Sequence, residues 1–187
     1  MSGVHPAIVG TLKPQASADW LWKNETATQT YAQALAQQPG LQNAYIELVG
    51  DLGAGKTTFV RHLLKALGVQ GRIKSPTYAV VEPHEGVHPS SQVALAIWHF
   101  DFYRFNDPQE FEGAGFRDLF ASTGLKIAEW PQQAQGMLPL ADLQLCLTVN
   151  DQEVRQVQGV ARTVHGQMIL QGLLATLASA HHAHSAS

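Results

Sequence analysis

The chain predicts an α/β fold built on a mixed parallel and antiparallel sheet, and three observations carry that expectation. A short apolar run at residues 44–49 leads into Val49-Gly50-Asp51-Leu52-Gly53-Ala54-Gly55-Lys56-Thr57-Thr58. An amphipathic segment follows at 57–67, with Phe59, Val60, Leu63, Leu64 and Leu67 recurring at helical spacing. Leu143, Leu145, Leu147 and Val149 alternate with Gln144, Cys146 and Thr148, the period-two pattern of a half-exposed strand. Asn150-Asp151 marks a turn, and 153–161 is expected to return antiparallel. Two neighbouring strands with no helix between them mean that the sheet is not purely parallel.

Taken in order, residues 1–18, with Pro6 and Pro14, read as a loose arm, and Trp20-Leu21-Trp22 as a short strand. Thr26-Ala27-Thr28-Gln29 has the form of a capping box for a helix carrying Ala27, Tyr31, Ala34 and Leu35, which should stop at Pro39-Gly40. After the 44–49 strand, the loop and its helix, Gly68 is the expected C-terminal stop. Arg72-Ile73-Lys74-Ser75-Pro76-Thr77-Tyr78 is a loop, because Pro76 disfavours a helical Ser75. Residues 79–82 read as a strand, and 84–92 as a hairpin connection or flexible insert whose His84 and His88 are solvated. Strands at 93–101 and 125–129 each end in an acid, Asp101 and Glu129. Between them lie a helix near 108–113 and an irregular stretch; a helical turn at 131–135 follows. Ile169, Leu170, Leu173, Leu174 and Leu177 suggest a last helix, weakened by Gly166 and Gly172. The tail, His181-His182-Ala183-His184, has the make-up of a metal-chelating run or, as expected here, of a frayed, solvated end.

Composition narrows the classes. The 187 residues suit one domain, and 45% apolar with 14% charged residues describes a soluble globular chain. A net charge of −3 leaves no basic footprint for autonomous nucleic-acid binding. The single cysteine, Cys146, rules out an internal disulfide and has no neighbouring base to activate it. No signal-peptide pattern and no run of 18 apolar residues is present, so a cytoplasmic protein without a membrane span is expected.

Residues 50–57 fit G-x-x-x-x-G-K-[ST], the loop whose backbone N–H groups surround a phosphate chain. Gly50, Gly53 and Gly55 allow the inward turn. Lys56 reaches the β- and γ-phosphates, the Thr57 hydroxyl can ligate Mg²⁺, and the helix N-terminus adds partial positive charge. Asp51, Leu52, Ala54 and Thr58 complete the cradle. The pattern implies binding of a nucleoside triphosphate. Such a site also needs an acid near the metal at a strand end beside the loop. Asp101 and Glu129 both qualify, directly or through water, and spacing alone does not rank them. Thr77 stands where a switch-type threonine senses the γ-phosphate, or is an ordinary turn hydroxyl. Arg104 can pair with phosphate, with a partner's acid, or in a surface ion pair.

Gly50-Asp51-Leu52-Gly53-Ala54-Gly55-Lys56-Thr57-Thr58, Ser75-Pro76-Thr77-Tyr78, His99-Phe100-Asp101-Phe102-Tyr103-Arg104 and Glu129-Trp130 occur in that order. Together they resemble the TsaE (YjeE) family, over about residues 20–160. The resemblance implies a P-loop NTPase-like three-layer fold with a mixed sheet, an ATPase domain at 19–162, and a C-terminal helix and tail at 163–187. It implies weak intrinsic ATP hydrolysis with Mg²⁺ in support of TsaD and TsaB, which carry out threonylcarbamoylation of adenosine in tRNAs reading ANN codons. Contact with tRNA would be indirect, through that complex. By the same resemblance Thr77 is the switch-like threonine, Asp101 the acid of the His-x-Asp-x-Tyr-Arg motif, Glu129 the metal acid and Trp130 a neighbour of the nucleotide. The insert, the arm and the segment after 162 match no motif.

Two other readings share the loop. A small-molecule or nucleoside kinase would need an arginine-rich lid, and only Arg155 and Arg162 follow Glu129. A nucleotide-gated binding module would need the site without turnover. No Asn/Thr-Lys-x-Asp guanine-reading motif is visible, which favours ATP.

Overall fold

A computed structural model describes residues 16–76, 79–105, 111 and 113–185. Its centre is a seven-stranded sheet formed by β1 (Ala16–Trp22), β2 (Tyr45–Gly50), β3 (Val81–Val87), β4 (Ala94–Asp101), β5 (Leu125–Glu129), β6 (Leu143–Val149) and β7 (Arg155–Ala161). The strands lie in the order β1-β7-β6-β2-β5-β4-β3. The four central strands, β6, β2, β5 and β4, run parallel, while β7, β1 and β3 pair antiparallel outside them. The β6–β7 hairpin is the one that the alternating leucines anticipate. Its turn is held by Asn150, whose side-chain oxygen accepts the N–H groups of Gln152 and Val154, each at 3.0 Å.

Strand alternation divides the apolar residues into two layers. Ile46 and Leu48 of β2, Ile97 of β4 and Ile127 of β5 face a core shared with α1 (Glu25–Ala36), α2 (Lys56–Ala66) and α4 (Val164–Ser185). Tyr45, Phe100 and Ala128 face a smaller, mostly aromatic core with Phe102, Phe105, Phe111 and α3 (Phe116–Ala121). The sheet is thus the middle of three layers.

Several local expectations are corrected. β1 begins at Ala16, inside the segment expected to be a loose arm, because 16–22 pairs along its whole length with β7; residues 1–15 lie outside the described residues. α1 is capped by Asn24, whose Oδ1 accepts the Ala27 N–H at 2.9 Å, rather than by Thr26. Asparagine is among the strongest N-caps, so it outcompetes the capping box expected two residues on. The helix ends at Ala36, and Pro39–Asn43 forms a separate 3₁₀ turn.

The 84–92 stretch is no loose insert. β3 runs on to Val87 and turns back into β4, and its position at the sheet edge explains how it tolerates Pro83, which has no N–H to donate. His88 is consequently buried, with Nε2 2.9 Å from the Gln38 carbonyl, and His84 is half-buried; neither is the solvated residue expected. The helix expected near 108–113 falls largely outside the described residues.

α4 is longer than its leucine pattern suggests. The Thr163 hydroxyl accepts the Gly166 N–H at 2.9 Å, and the helix continues to Ser185. Ile169, Leu170, Leu173 and Leu177 are buried in the larger core. Gly166 and Gly172 are not weak points there. A Cβ at Gly166 would collide with the Asp142 carbonyl, and one at Gly172 with the Gln38 side chain, so the two glycines let α4 lie close to its neighbours. The side chains of the histidine tail lie outside the described residues. Among the described residues no helix is long and apolar enough to cross a membrane.

Candidate functional site

The parallel strands β2, β5 and β4 stand side by side, so their C-terminal ends bring three segments distant in sequence to one edge. β2 gives way to the glycine-rich loop at Gly50, where a Cβ would collide with the Leu147 carbonyl of β6. Asp51 and Leu52 are exposed at the loop tip, Leu52 by 76%, while Ala54 is buried beneath it. The loop ends at Gly55, the N-cap of α2, and the first turn of that helix carries Lys56, Thr57 and Thr58.

Lys56 is only 4% exposed. Its Nζ donates to the carbonyls of Gly50 at 2.6 Å and Asp51 at 2.9 Å, and stands 3.8 Å from the ring centroid of Trp130. Burial holds the ammonium pKa below the usual lysine value, opposed by Glu129, Asp101 and Asp51 in that order. The two loop carbonyls thus supply the acceptors that this buried ammonium needs.

The two strand-end acids face each other in register, Asp101 of β4 against Glu129 of β5. Their surroundings separate them, as spacing alone could not. Glu129 is 1% exposed; its Oε2 accepts the Thr57 hydroxyl at 2.8 Å and its Oε1 lies 2.9 Å from His99 Nε2. Asp101 instead accepts the Ser75 hydroxyl on Oδ2 and the Tyr103 N–H on Oδ1 at 3.0 Å. Thr57 and Glu129 thus form one pair of hard oxygen donors, the type that suits Mg²⁺, with Asp101 adjacent. Thr77 lies outside the described residues, although Ser75 of the same motif reaches Asp101.

Trp130 has φ +56°, a left-handed conformation that costs a non-glycine residue about 1–2 kcal/mol. Pro131 then opens a 3₁₀ turn. This bend turns the indole back over Lys56 and against Tyr103, with ring centroids 4.9 Å apart. The resulting cleft, about 370 Å³, is bordered by Leu52, Gly53, Lys56, Thr57, Thr58, Ser75, Asp101, Arg104, Glu129, Trp130 and Arg155.

Three contributors have no role in the sequence-based reading. Ser75 enters it only as part of a motif. Arg155 comes from β7, two strands from β2, which brings it beside Gly55, and no local pattern announces that. His99 is fully buried and partners Glu129, with its ring 6.4 Å from that of His84. Strand alternation gives the available signal for His99, since His99 and Asp101 share a face of β4. Cys146 lies elsewhere, on β6, and burial raises its thiol pKa, consistent with an unreactive residue.

A family model described as threonylcarbamoyl adenosine biosynthesis protein TsaE matches residues 22–157. The chain is 40% identical over 125 residues to the tRNA threonylcarbamoyladenosine biosynthesis protein TsaE of Haemophilus influenzae, spanning 67% of this chain and 75% of that one. It is 30% identical over 157 residues to the protein of the same name from Bacillus subtilis, spanning 82% and 92%. The crystal structure of Bacillus subtilis YdiB superimposes with a TM-score of 0.66 at 24% identity, covering 86% of this chain and 95% of that one, which supports the fold. With its matched region holding both the loop and the two strand-end acids, the chain belongs to the TsaE family of tRNA threonylcarbamoyladenosine biosynthesis proteins.

Proposed function

We propose that the protein binds ATP with Mg²⁺ and hydrolyses it, in a cycle that supports TsaD and TsaB during threonylcarbamoylation of tRNA. The observation that carries this reading is the Thr57–Glu129 hydrogen bond, which joins the first turn after the phosphate loop to a buried strand-end acid. Thr57 and Glu129 would hold the metal, which, when bound, supplies charge neutralisation at the β- and γ-phosphates.

The remaining chemistry belongs to positioning. The loop N–H groups and the α2 N-terminus cradle the phosphates, and Lys56 exchanges its two loop carbonyls for phosphate oxygens. Asp101, held by Ser75 and the Tyr103 N–H, would orient a water toward the γ-phosphate. Phosphoryl transfer passes through a loose transition state, so oriented donors and neutralised charge supply most of the acceleration. Arg104 borders the same cleft and adds positive charge there.

The test is ATP hydrolysis with and without the purified TsaD–TsaB pair. Weak turnover alone and a clear increase with the pair are expected, with both abolished by Glu129→Ala. Unstimulated turnover would remove the partner role. ATP-dependent partner binding without single-turnover hydrolysis would make the protein a nucleotide-gated module instead.

A further inference from the structure

Four cations line one groove that the function proposed above leaves unused. Arg61 and Lys65 stand four residues apart on α2, on one face of the helix, with Cβ atoms about 6 Å apart. Beyond that helix the chain is anchored at Val69 and Ile73, both buried in the larger core, and the exposed Arg72 and Lys74 flank Ile73. Together the four border a groove of about 470 Å³. Thr57 and Ser75 border both this groove and the phosphate cleft, so the groove runs up to the Thr57–Glu129 pair. We propose that this groove holds the phosphodiester backbone of an RNA strand, with its phosphates on Arg61, Lys65, Arg72 and Lys74.

The charge of the groove is uncompensated. The four are a third of the chain's 12 Lys and Arg residues, and among the described residues no acid borders the groove with them. None of the four side chains has a hydrogen-bond or ion-pair partner among the described residues. A like-charged pair at i, i+4 works against the helix that carries it. Lys65 lies in the last turn of α2, where a cation has a local use, but Arg61, Arg72 and Lys74 do not. A cluster of this kind raises the local concentration of anions. The net charge of −3 conceals it, because that figure sums over the whole chain.

The chemistry of the walls selects the class of anion. Among the described residues bordering the groove the only apolar side chain is Ile73, which is 4% exposed and already packed in the core. That leaves no apolar anchor for a protein partner, whose interface would bury an apolar centre and keep charge to the rim. Charge alone suits phosphates, which bind Lys and Arg by releasing counterions. With no aromatic among those residues to stack on, the bases turn outward, so binding should ignore their identity. The groove reads phosphate; RNA is the strand that the proposed function brings within reach, and that choice alone rests on it.

Fluorescence anisotropy of a labelled oligouridylate of about 12 nucleotides, with neither ATP nor a partner protein present, tests the assignment. Wild-type protein should bind it with a log–log salt slope of about −3, the value for about four phosphate contacts on a single strand. Lys65→Glu combined with Arg72→Glu should weaken binding about tenfold or more at about 50 mM salt and flatten the slope to about −1.4. Both side chains are exposed, so Tm should not fall, and Lys74→Glu alone should weaken binding in the same sense. An oligoadenylate should bind within about threefold of the oligouridylate, and Lys56→Ala should change RNA binding less than about twofold. Absent or salt-independent binding by the wild-type protein would overturn the proposal, as would binding that survives the groove variants. Loss of RNA binding in Lys56→Ala alone would place the phosphate in the nucleotide cleft and overturn it too. An oligoglutamate of the same charge that binds more tightly than the RNA would assign the groove to an acidic peptide instead. With no nucleotide in the assay, a failure here leaves the triphosphate reading standing, and a failure of ATP hydrolysis leaves the RNA result standing.

Discussion

Replacing His99 by leucine removes the ring nitrogen 2.9 Å from Glu129 Oε1 and refills most of the space with apolar atoms. The side chains of the pair are 0% and 2% exposed, so water cannot take over the lost hydrogen bond. Removing one partner of such a buried pair typically costs about 3–5 kcal/mol. Thr57 still donates to the other carboxylate oxygen at 2.8 Å, which favours the lower end, about 3 kcal/mol. For a chain of this size that corresponds to a fall in Tm of roughly 6–12 °C. Equilibrium urea unfolding of the ligand-free protein measures it, with an unchanged m-value as the control. His99→Gln, which keeps an amide donor, should cost less than about 1 kcal/mol. Adding Glu129→Gln to His99→Leu should recover part of the loss, because the buried charge is then gone. A loss under about 1 kcal/mol for His99→Leu, or equal losses for leucine and glutamine, would refute the claim that His99 holds Glu129 in place.

Other consequences are open to measurement. Lys56→Ala should weaken Mg²⁺-ATP binding by about 10- to 100-fold in calorimetry, with no fall in Tm, because it also removes a buried ammonium. His84 has its pKa lowered from 6.5, chiefly by burial, with Glu82 opposing and His99 reinforcing. The unfolded chain then binds the proton more readily, so this contribution is fully present above pH 6.5 and is lost as the pH falls below it. His84→Gln should flatten the stability profile on that acid side; an unchanged slope would count against the burial argument. Gly166→Ala raises helix propensity by about 1 kcal/mol in isolation, yet should destabilise the protein by about 1–3 kcal/mol in urea melts because its Cβ meets the Asp142 carbonyl.

Legibility differed from element to element. The strand–loop–helix unit around residues 50–57 could be read outright, since its residues are contiguous and Gly50, Gly53 and Gly55 all take the positive φ that the turn requires. The β6–β7 hairpin was equally plain, because burial on one face writes an alternation into the sequence. β3 was obscured by Pro83 and Gly86, which look like breakers until the strand is known to lie at the sheet edge. The extent of α4 was hidden for a related reason: Gly166 and Gly172 count against a helix in isolation, and only packing against Asp142 and Gln38 gives them a purpose.

Local sequence was enough to specify a strand, a glycine-rich loop and a helix in succession, and a mixed sheet around them. Both are consequences of short-range periodicity and backbone sterics. Only folding gives the two acids different surroundings, tying Glu129 to Thr57 and Asp101 to Ser75. It alone set His99 behind Glu129 and brought Arg155 across the sheet to Gly55. Those pairings join residues 26 to 100 positions apart, and their distances depend on strand order and register, which no local pattern encodes.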